Sequence, residues 1–218
     1  SNRIIENMIA FNDESAIRLW NCLNSSNIIV GNNITSNNVL GIDLQISSNV
    51  TIIGNNILNN GNTGIDLLDT SLFSSNQISH NKIAGSEYGI RISSSGNVIS
   101  SNEISQNSLV GIHIIESSGN NITYNQITGN RRGEGYIMWG YGVCLQSSSG
   151  NYLTGNDIEN NSVGLNIPGH SYWNRIFHNN FAGNDVQVDS ASNDGPNFWD
   201  DGYPSGGNYW SDYDGSEF

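Results

Sequence analysis

Charge is the commodity this sequence has least of. Charged residues make up 12% of the 218 positions, and Lys+Arg number only seven against 20 Asp+Glu, a formal net charge of −13. Nucleic-acid binding requires cationic side chains that displace counterions, so no nucleic-acid partner is expected. An anionic membrane surface is disfavoured for the same reason. No apolar run approaches the ~20 residues of a membrane span, so no membrane insertion is expected. A signal peptide is also missing, and the first residues read as the continuation of a longer chain. Disorder is not expected, because disordered chains are rich in charge and poor in β-branched and aromatic residues. Here 36% of residues are hydrophobic and 9% aromatic. A chain of this length can bury a real core.

What is abundant is asparagine, and it is periodic. The pattern N-x-I-x-x-N-x-I-x-x-N occurs eight times, centred on Asn7, Asn32, Asn55, Asn81, Asn102, Asn125, Asn156 and Asn179. The flanking positions are Asn in nearly every copy, with Val50 and Ser86 as the exceptions. A second unit follows: GIDL at Gly41 and Gly64, GIRI at Gly89, GIHI at Gly111, GVCL at Gly142 and GLNI at Gly164. AIRL at Ala16 and DVQV at Asp185 are its terminal versions. Apolar–polar–apolar alternation marks a strand with one buried face. A preceding Gly marks a turn with positive φ or a close backbone approach.

Helical repeats would show 3.6-residue periodicity and leucine-rich repeats an L-x-x-L-x-L core; neither is present. A period of about 23 residues with two or three short strands therefore predicts an all-β fold, a parallel β-solenoid of about eight coils stacked at roughly 4.8 Å. Stacked Asn side chains hydrogen-bond along such an axis, so the asparagines are expected to be scaffold. Residues 1–190 are assigned to the repeats, with an insertion at 131–141, and 191–218 to an aromatic, acidic C-terminal cap. The first coil has no such cap, so a preceding segment or a partner is expected to cover it. Cys22 and Cys144 fall five coils apart, roughly 24 Å, too far for a disulfide, which needs Cα atoms within about 7 Å.

The repeat resembles the right-handed parallel β-helix family of carbohydrate-binding proteins and sugar hydrolases, with the pectin-lyase-like architecture. The tail NFWDDGYPSGGNYWSDYDG, Asn197 to Gly215, is similar to the end of NosD-like β-helix domains of surface and periplasmic proteins. The resemblance implies an extracellular, cell-surface or periplasmic location and a polysaccharide or cell-surface glycan as partner. It also raises copper delivery. Copper(I) needs clustered Cys, Met or His, and the two Cys, two Met and four His show no binding-motif spacing; His80 and His178 are equivalent but four coils apart.

The middle residues of the second strands should form one outward row: Arg18, Asp43, Asp66, Arg91, His113, Cys144, Asn166 and Gln187. Stacked Asp43 and Asp66 repel unless one is protonated or a cation lies between them. Similarity to pectate-lyase-type enzymes implies Ca²⁺ held by Asp43 and Asp66, with Arg91 as proton acceptor; catalysis would then fall to Asp66, Arg91 and His113. The competing reading is a solvated stripe in which Asp66 pairs with Arg91. His113 beside Cys144 is a further nucleophilic combination. Asp69 and Glu116 lie just beyond the same strands.

Two features break the repeat. The 31-residue coil inserts RRGEGYIMWGY at 131–141, and solenoid insertions often line the binding face. Tyr136, Trp139 and Tyr141 can stack on sugar rings while Arg131 or Arg132 meets a carboxylate; the alternative is a loop with its aromatics buried. The tail aspartates can ligate Ca²⁺, although a cap over the last strand edges is the simpler role. The sequons at Asn24, Asn33, Asn49, Asn121 and Asn160 are compatible with export. The chain is therefore expected to be a surface scaffold or polysaccharide-binding module. The alternatives are a lyase, hydrolase or epimerase acting on an acidic glycan and, third, a copper-delivery accessory.

Overall fold

The computed structural model describes residues 1–23, 25–68, 74–131, 140–190 and 195–214. Among them there is no helix, and the strands form three parallel sheets of eight, nine and eight strands. Each coil gives one strand to each sheet. In the first coil these are Arg3–Ile5, Met8–Ala10 and Ile17–Trp20. Every strand pairs with its counterpart one coil away, so the chain is a β-solenoid of about eight turns, as the repeat predicts.

Parallel pairing in strict register places each residue above its equivalent, and the sequence exploits this. Ile34, Ile57, Ile83, Ile104, Ile127, Ile158 and Phe181 form one buried column. Each such burial contributes roughly 1.5–3 kcal/mol. The central asparagines form a second column, unbroken from Asn7 to Asn208. Each Nδ2 donates to the Oδ1 of the next at 2.8–3.0 Å. That Oδ1 also accepts the preceding Asn backbone N–H, and Nδ2 reaches a carbonyl of the preceding coil, as Asn125 does to Ile99 at 2.9 Å. Both ends of the carboxamide are thereby satisfied, which is why a buried polar column is tolerated. The residue before each central Asn from Asn7 to Asn179 turns the chain with positive φ: Glu6, Gly31, Gly54, His80, Ser101, Tyr124, Gly155 and His178.

The glycines of the second units resolve differently from a turn. None of Gly41, Gly64, Gly89, Gly111, Gly142 and Gly164 has positive φ; they lie within or beside the third-sheet strands as a column of close approach. A Cβ on Gly111 would sit 2.6 Å from the Gly142 carbonyl oxygen and 2.9 Å from both Ile127 Cγ2 and Asn130 Nδ2.

The tail continues the stack. Asn197 accepts from Asn174 Nδ2 and Asn208 from Asn179 Nδ2, both at 3.0 Å, which extends two ladders by one layer. Tyr209–Trp210 joins the second sheet, and the Trp210 ring stacks on Phe181 at 4.7 Å. Trp199 and Trp210 pack against the end of the apolar core.

Replacing Asn125 with Ala removes the Oδ1 that accepts the Asn102 backbone N–H and one of the bonds from Asn102 Nδ2, and leaves the Ile99 carbonyl and Asn156 Oδ1 each short of a donor. We expect a loss of about 3–5 kcal/mol in urea unfolding, at roughly 1–3 kcal/mol per stranded buried group. Its exposed neighbour Gln126, changed to Ala, should shift stability by less than about 0.5 kcal/mol.

Candidate binding face on the third sheet

The row on the outer side of the third sheet runs Arg18, Asp43, Asp66, Arg91, His113, Cys144, Asn166 in register. Its last member is Asp189, not Gln187: Val186 and Val188 align with Val163 and Leu165, which slides the terminal unit by two residues. Gln187 occupies the glycine column instead. There its side chain accepts from Asn184 Nδ2 at 2.8 Å and donates to Ser211 at 3.2 Å. A side chain is admissible at that place because no further strand of the third sheet stacks beyond Val186–Asp189 among the described residues.

The expected solvated stripe is in fact closed. Asp43 is 1% exposed, Asp66 3%, Cys144 3% and His113 5%. Neighbouring rows contribute the cover. The Tyr88 ring lies parallel to the His113 imidazole at 5.6 Å, and the Arg91 guanidinium lies over the same ring at 5.9 Å. Gln45 and Gln146 reach in from the strand ends.

The stacked carboxylates are bracketed by arginines. Arg18 Nε donates to Asp43 Oδ2 at 2.7 Å, with Gln45 Nε2 at 3.0 Å on the same oxygen. Arg91 grips Asp66 through Nε at 3.0 Å and through Nη2. The order Arg–Asp–Asp–Arg sums to zero charge, so the guanidinium groups supply the compensation assigned to Ca²⁺ in the sequence reading. The Asp66 hydrogen bond raises the Arg91 pKa further above its ordinary value, despite partial burial. That runs against proton abstraction by Arg91. Asp43 Oδ1 is buried without a hydrogen-bond partner.

His113 and Cys144 are neighbours in register, yet they form no nucleophile–base pair. Burial lowers the His113 pKa, the Gln146 hydrogen bond opposing it and Arg91 adding to it. The neutral ring is assigned as donating Nε2–H to Gln146 Oε1 at 3.0 Å, which leaves Nδ1 as a buried acceptor without a partner. Burial pushes the Cys144 thiol up to about 12, and its S–H faces Asn166 Oδ1 at 3.5 Å. A thiol held protonated is a poor nucleophile.

Beside this end of the row lies an open groove of about 360 Å³, lined by Tyr141, Cys144, Gln146, Ser147, Asn166, Pro168 and Gly169. Tyr141 opens the strand Tyr141–Gln146, and burial raises its phenol pKa. Arg131 donates to the Asn160 carbonyl and to Asp185, both at 2.7 Å. Arg132, Tyr136 and Trp139 lie outside the described residues, as does Asp69. Tyr88, Gln45 and Gln146 escaped the sequence reading. Their only signal is that each stands two or three residues from a row member in the repeat.

The profile of the family described as periplasmic copper-binding protein (NosD) matches residues 1–136 and 137–215. The chain belongs to the NosD family. A curated relative, the probable ABC transporter binding protein NosD of Stutzerimonas stutzeri, is 36% identical over 105 residues, 43% of this chain. The matched stretch is 23% of that relative's length. The fold is shared with polysaccharide-active proteins. The mannuronan C-5 epimerase AlgE6 A-module of Azotobacter vinelandii aligns with a TM-score of 0.69 at 13% identity, over 89% of this chain and 56% of that one. The periplasmic alginate epimerase AlgG gives 0.64 at 18%, over 94% and 50%. An alginate lyase from Paenibacillus sp. str. FPU-7 gives 0.56 at 16%, over 95% and 78%. At these identities the likeness speaks for the fold.

Copper is the metal the family description implies. Among the described residues no three His, Cys, Asp or Glu converge to hold a metal ion, the tail aspartates included. Cys22 and Cys144 are both free and five coils apart. The adjacent soft donors His113 and Cys144 are a buried imidazole and a thiol held protonated, so these residues do not fit a copper centre of three or more ligands.

Three outcomes follow from this electrostatic arrangement. Asp66→Ala strands the Arg91 charge and should destabilise by roughly 2–3 kcal/mol, Arg91 being partly exposed, while Asp66→Leu with Arg91→Leu should recover much of the loss in urea unfolding. His113 titrates lower in the folded than in the unfolded chain, where its pKa is about 6.5. The unfolded state therefore binds the extra proton first, and stability should fall as pH drops below about 6.5. The wild-type-minus-His113→Gln difference in stability against pH isolates this component. Ellman titration of the native protein at pH 8 should detect Cys22 and not Cys144, and both thiols after denaturation.

Proposed function

We propose that this chain is a non-catalytic β-helix module of a periplasmic or cell-surface NosD-family protein, and that it binds polysaccharide. The observation that carries this reading is the closed state of the third-sheet row. Both aspartates are buried, each held by an arginine, and the neighbouring histidine and cysteine are held neutral. General acid–base chemistry needs a titratable group poised near the working pH and within reach of substrate, and this row offers none.

Binding is assigned to the groove beside Tyr141 together with the adjoining 131–141 insertion. Trp139, Tyr136 and Tyr141 are the stacking groups and Arg132 is the cation; Arg131 anchors the base of the insertion through Asp185 and Asn160. The groove offers Gln146, Ser147 and Asn166 as hydroxyl partners. That the structurally similar proteins include alginate epimerases and an alginate lyase supports a glycan as the partner, and the family description supports the periplasm.

A panel of neutral and acidic polysaccharides, assayed by affinity electrophoresis and by product analysis with and without Ca²⁺, tests this. Retarded mobility without new products or epimerised residues is expected, with roughly tenfold weaker binding in Trp139→Ala or Tyr141→Ala, about the loss of one stacking contact. Turnover abolished by Arg91→Ala or Asp66→Ala would establish the enzyme reading instead. Stoichiometric copper binding lost in His113→Gln and Cys144→Ser would favour a metal carrier.

A further inference from the structure

A second outward row, on the first sheet, ends in an arrangement that the repeat does not announce. Asn121, Tyr152 and Arg175 are in register, and Phe198 from the tail bridges Arg175 in the next layer. The Arg175 guanidinium lies over the Tyr152 ring at 5.5 Å and over the Phe198 ring at 5.7 Å. The cation therefore lies between an aromatic ring in the layer before and one in the layer after, a cation–π sandwich. A guanidinium donates in its own plane, so its N–H groups project from between the rings.

Those donors are unclaimed. Arg18, Lys82, Arg91 and Arg131 each have a carboxylate partner, whereas Arg175, like Arg3 in the first coil, has neither an ion pair nor a side-chain hydrogen bond among the described residues. This is not for lack of aspartate. Arg175, Phe177, Phe198, Asp200, Asp201 and Gly202 line one cleft of about 270 Å³. Asp201 turns to His178 at 3.3 Å, and Asp200 accepts the Gly202 N–H at 2.9 Å. The aromatic sandwich holds the arginine where neither carboxylate takes it.

We propose that this cleft is a subsite for one acidic sugar unit, a uronate. Its carboxylate takes the in-plane fork of Arg175, and its hydroxyls donate to Asp200 and Asp201. A simple anion meets two aspartates and no compensating donor beyond one arginine. A neutral sugar leaves that arginine unpaired. A uronate carries an anionic group and several hydroxyl donors on one ring, and so satisfies both halves of the cleft. Arginine meets a planar carboxylate with two parallel hydrogen bonds. Trp173, 58% exposed and 6.0 Å from the Phe198 ring, extends the aromatic wall. The inference deepens the polysaccharide-binding reading and rests on it; it names the polymer class as acidic and adds a subsite on a different sheet from the Tyr141 groove.

The test is an NMR titration of the 218-residue chain with glucuronate and, separately, with glucose, alongside polyuronate and its carboxyl-reduced form. Glucuronate should perturb the Arg175, Phe198 and Gly202 signals and glucose should not. Arg175→Gln should weaken glucuronate binding by roughly tenfold or more, the loss of a charge-assisted pair. Arg175→Lys should restore only part of it. Glucuronate binding that is unchanged in Arg175→Gln, or matched by glucose, overturns the subsite. If polyuronate binds through Trp139 and Tyr141 but is indifferent to Arg175, the subsite alone falls. If no polysaccharide binds, the module reading falls, while the monosaccharide titration still decides the cleft.

Discussion

Every part of this structure depends on one constraint: each coil lies one strand spacing from the next, in register, so each side chain has its own equivalent as axial neighbour. Whatever stands at a repeat position must tolerate being stacked on itself. Isoleucine does so by packing. Glycine does so because backbones can touch. Asparagine does so best among polar residues, because a carboxamide is a donor on one side and an acceptor on the other. The central ladder from Asn7 to Asn208 joins nine residues through eight side-chain hydrogen bonds. A carboxylate or ammonium stacked on itself has no such complementarity, which accounts for the low charge of the chain.

The same rule explains the third-sheet row. Asp43 on Asp66 is the one place in that row where like charges stack, and the two arginines stand immediately outside them. Further along, three neutral polar members follow, a histidine, a protonated thiol and an amide, before the row ends at Asp189. The solenoid builds an ordered polar line there, but it damps the titrating groups that chemistry would need. The proposed recognition elements are departures from the repeat, the 131–141 insertion and the tail, whose sequences do not copy the repeated units. The sandwich of Arg175 between Tyr152 and Phe198 arises because three unlike residues happen to share one outward column.

The coil count, the ladders and the inward isoleucines were legible in the sequence because each is a statement about period. The glycine column was legible only as a pair of alternatives; close approach won over a turn because the next coil's carbonyl passes within 2.5–2.7 Å of where each Cβ would be. The place of Gln187 was misread by pattern alone, since DVQV looks like GLNI shifted, and the pairing of two valines decides the true register. The burial of Asp43, Asp66 and His113 was invisible, because the cover comes from Tyr88, Gln45 and Gln146, which belong to other positions of the repeat and are contributed largely by neighbouring coils. Arg175 gave no signal either: its partners are 23 residues away on each side and are not members of the repeated motif.

The sequence by itself determined the solenoid, its number of turns, the scaffold role of its asparagines and the absence of a disulfide, since all of these follow from spacing along one axis. The tertiary structure decided which outward groups meet water, which carboxylates Arg18, Arg91 and Arg131 hold, and that Arg175 lies between two aromatic rings. Those are questions of lateral neighbours, and a one-dimensional period specifies what lies above and below a residue but not what leans over it from the side.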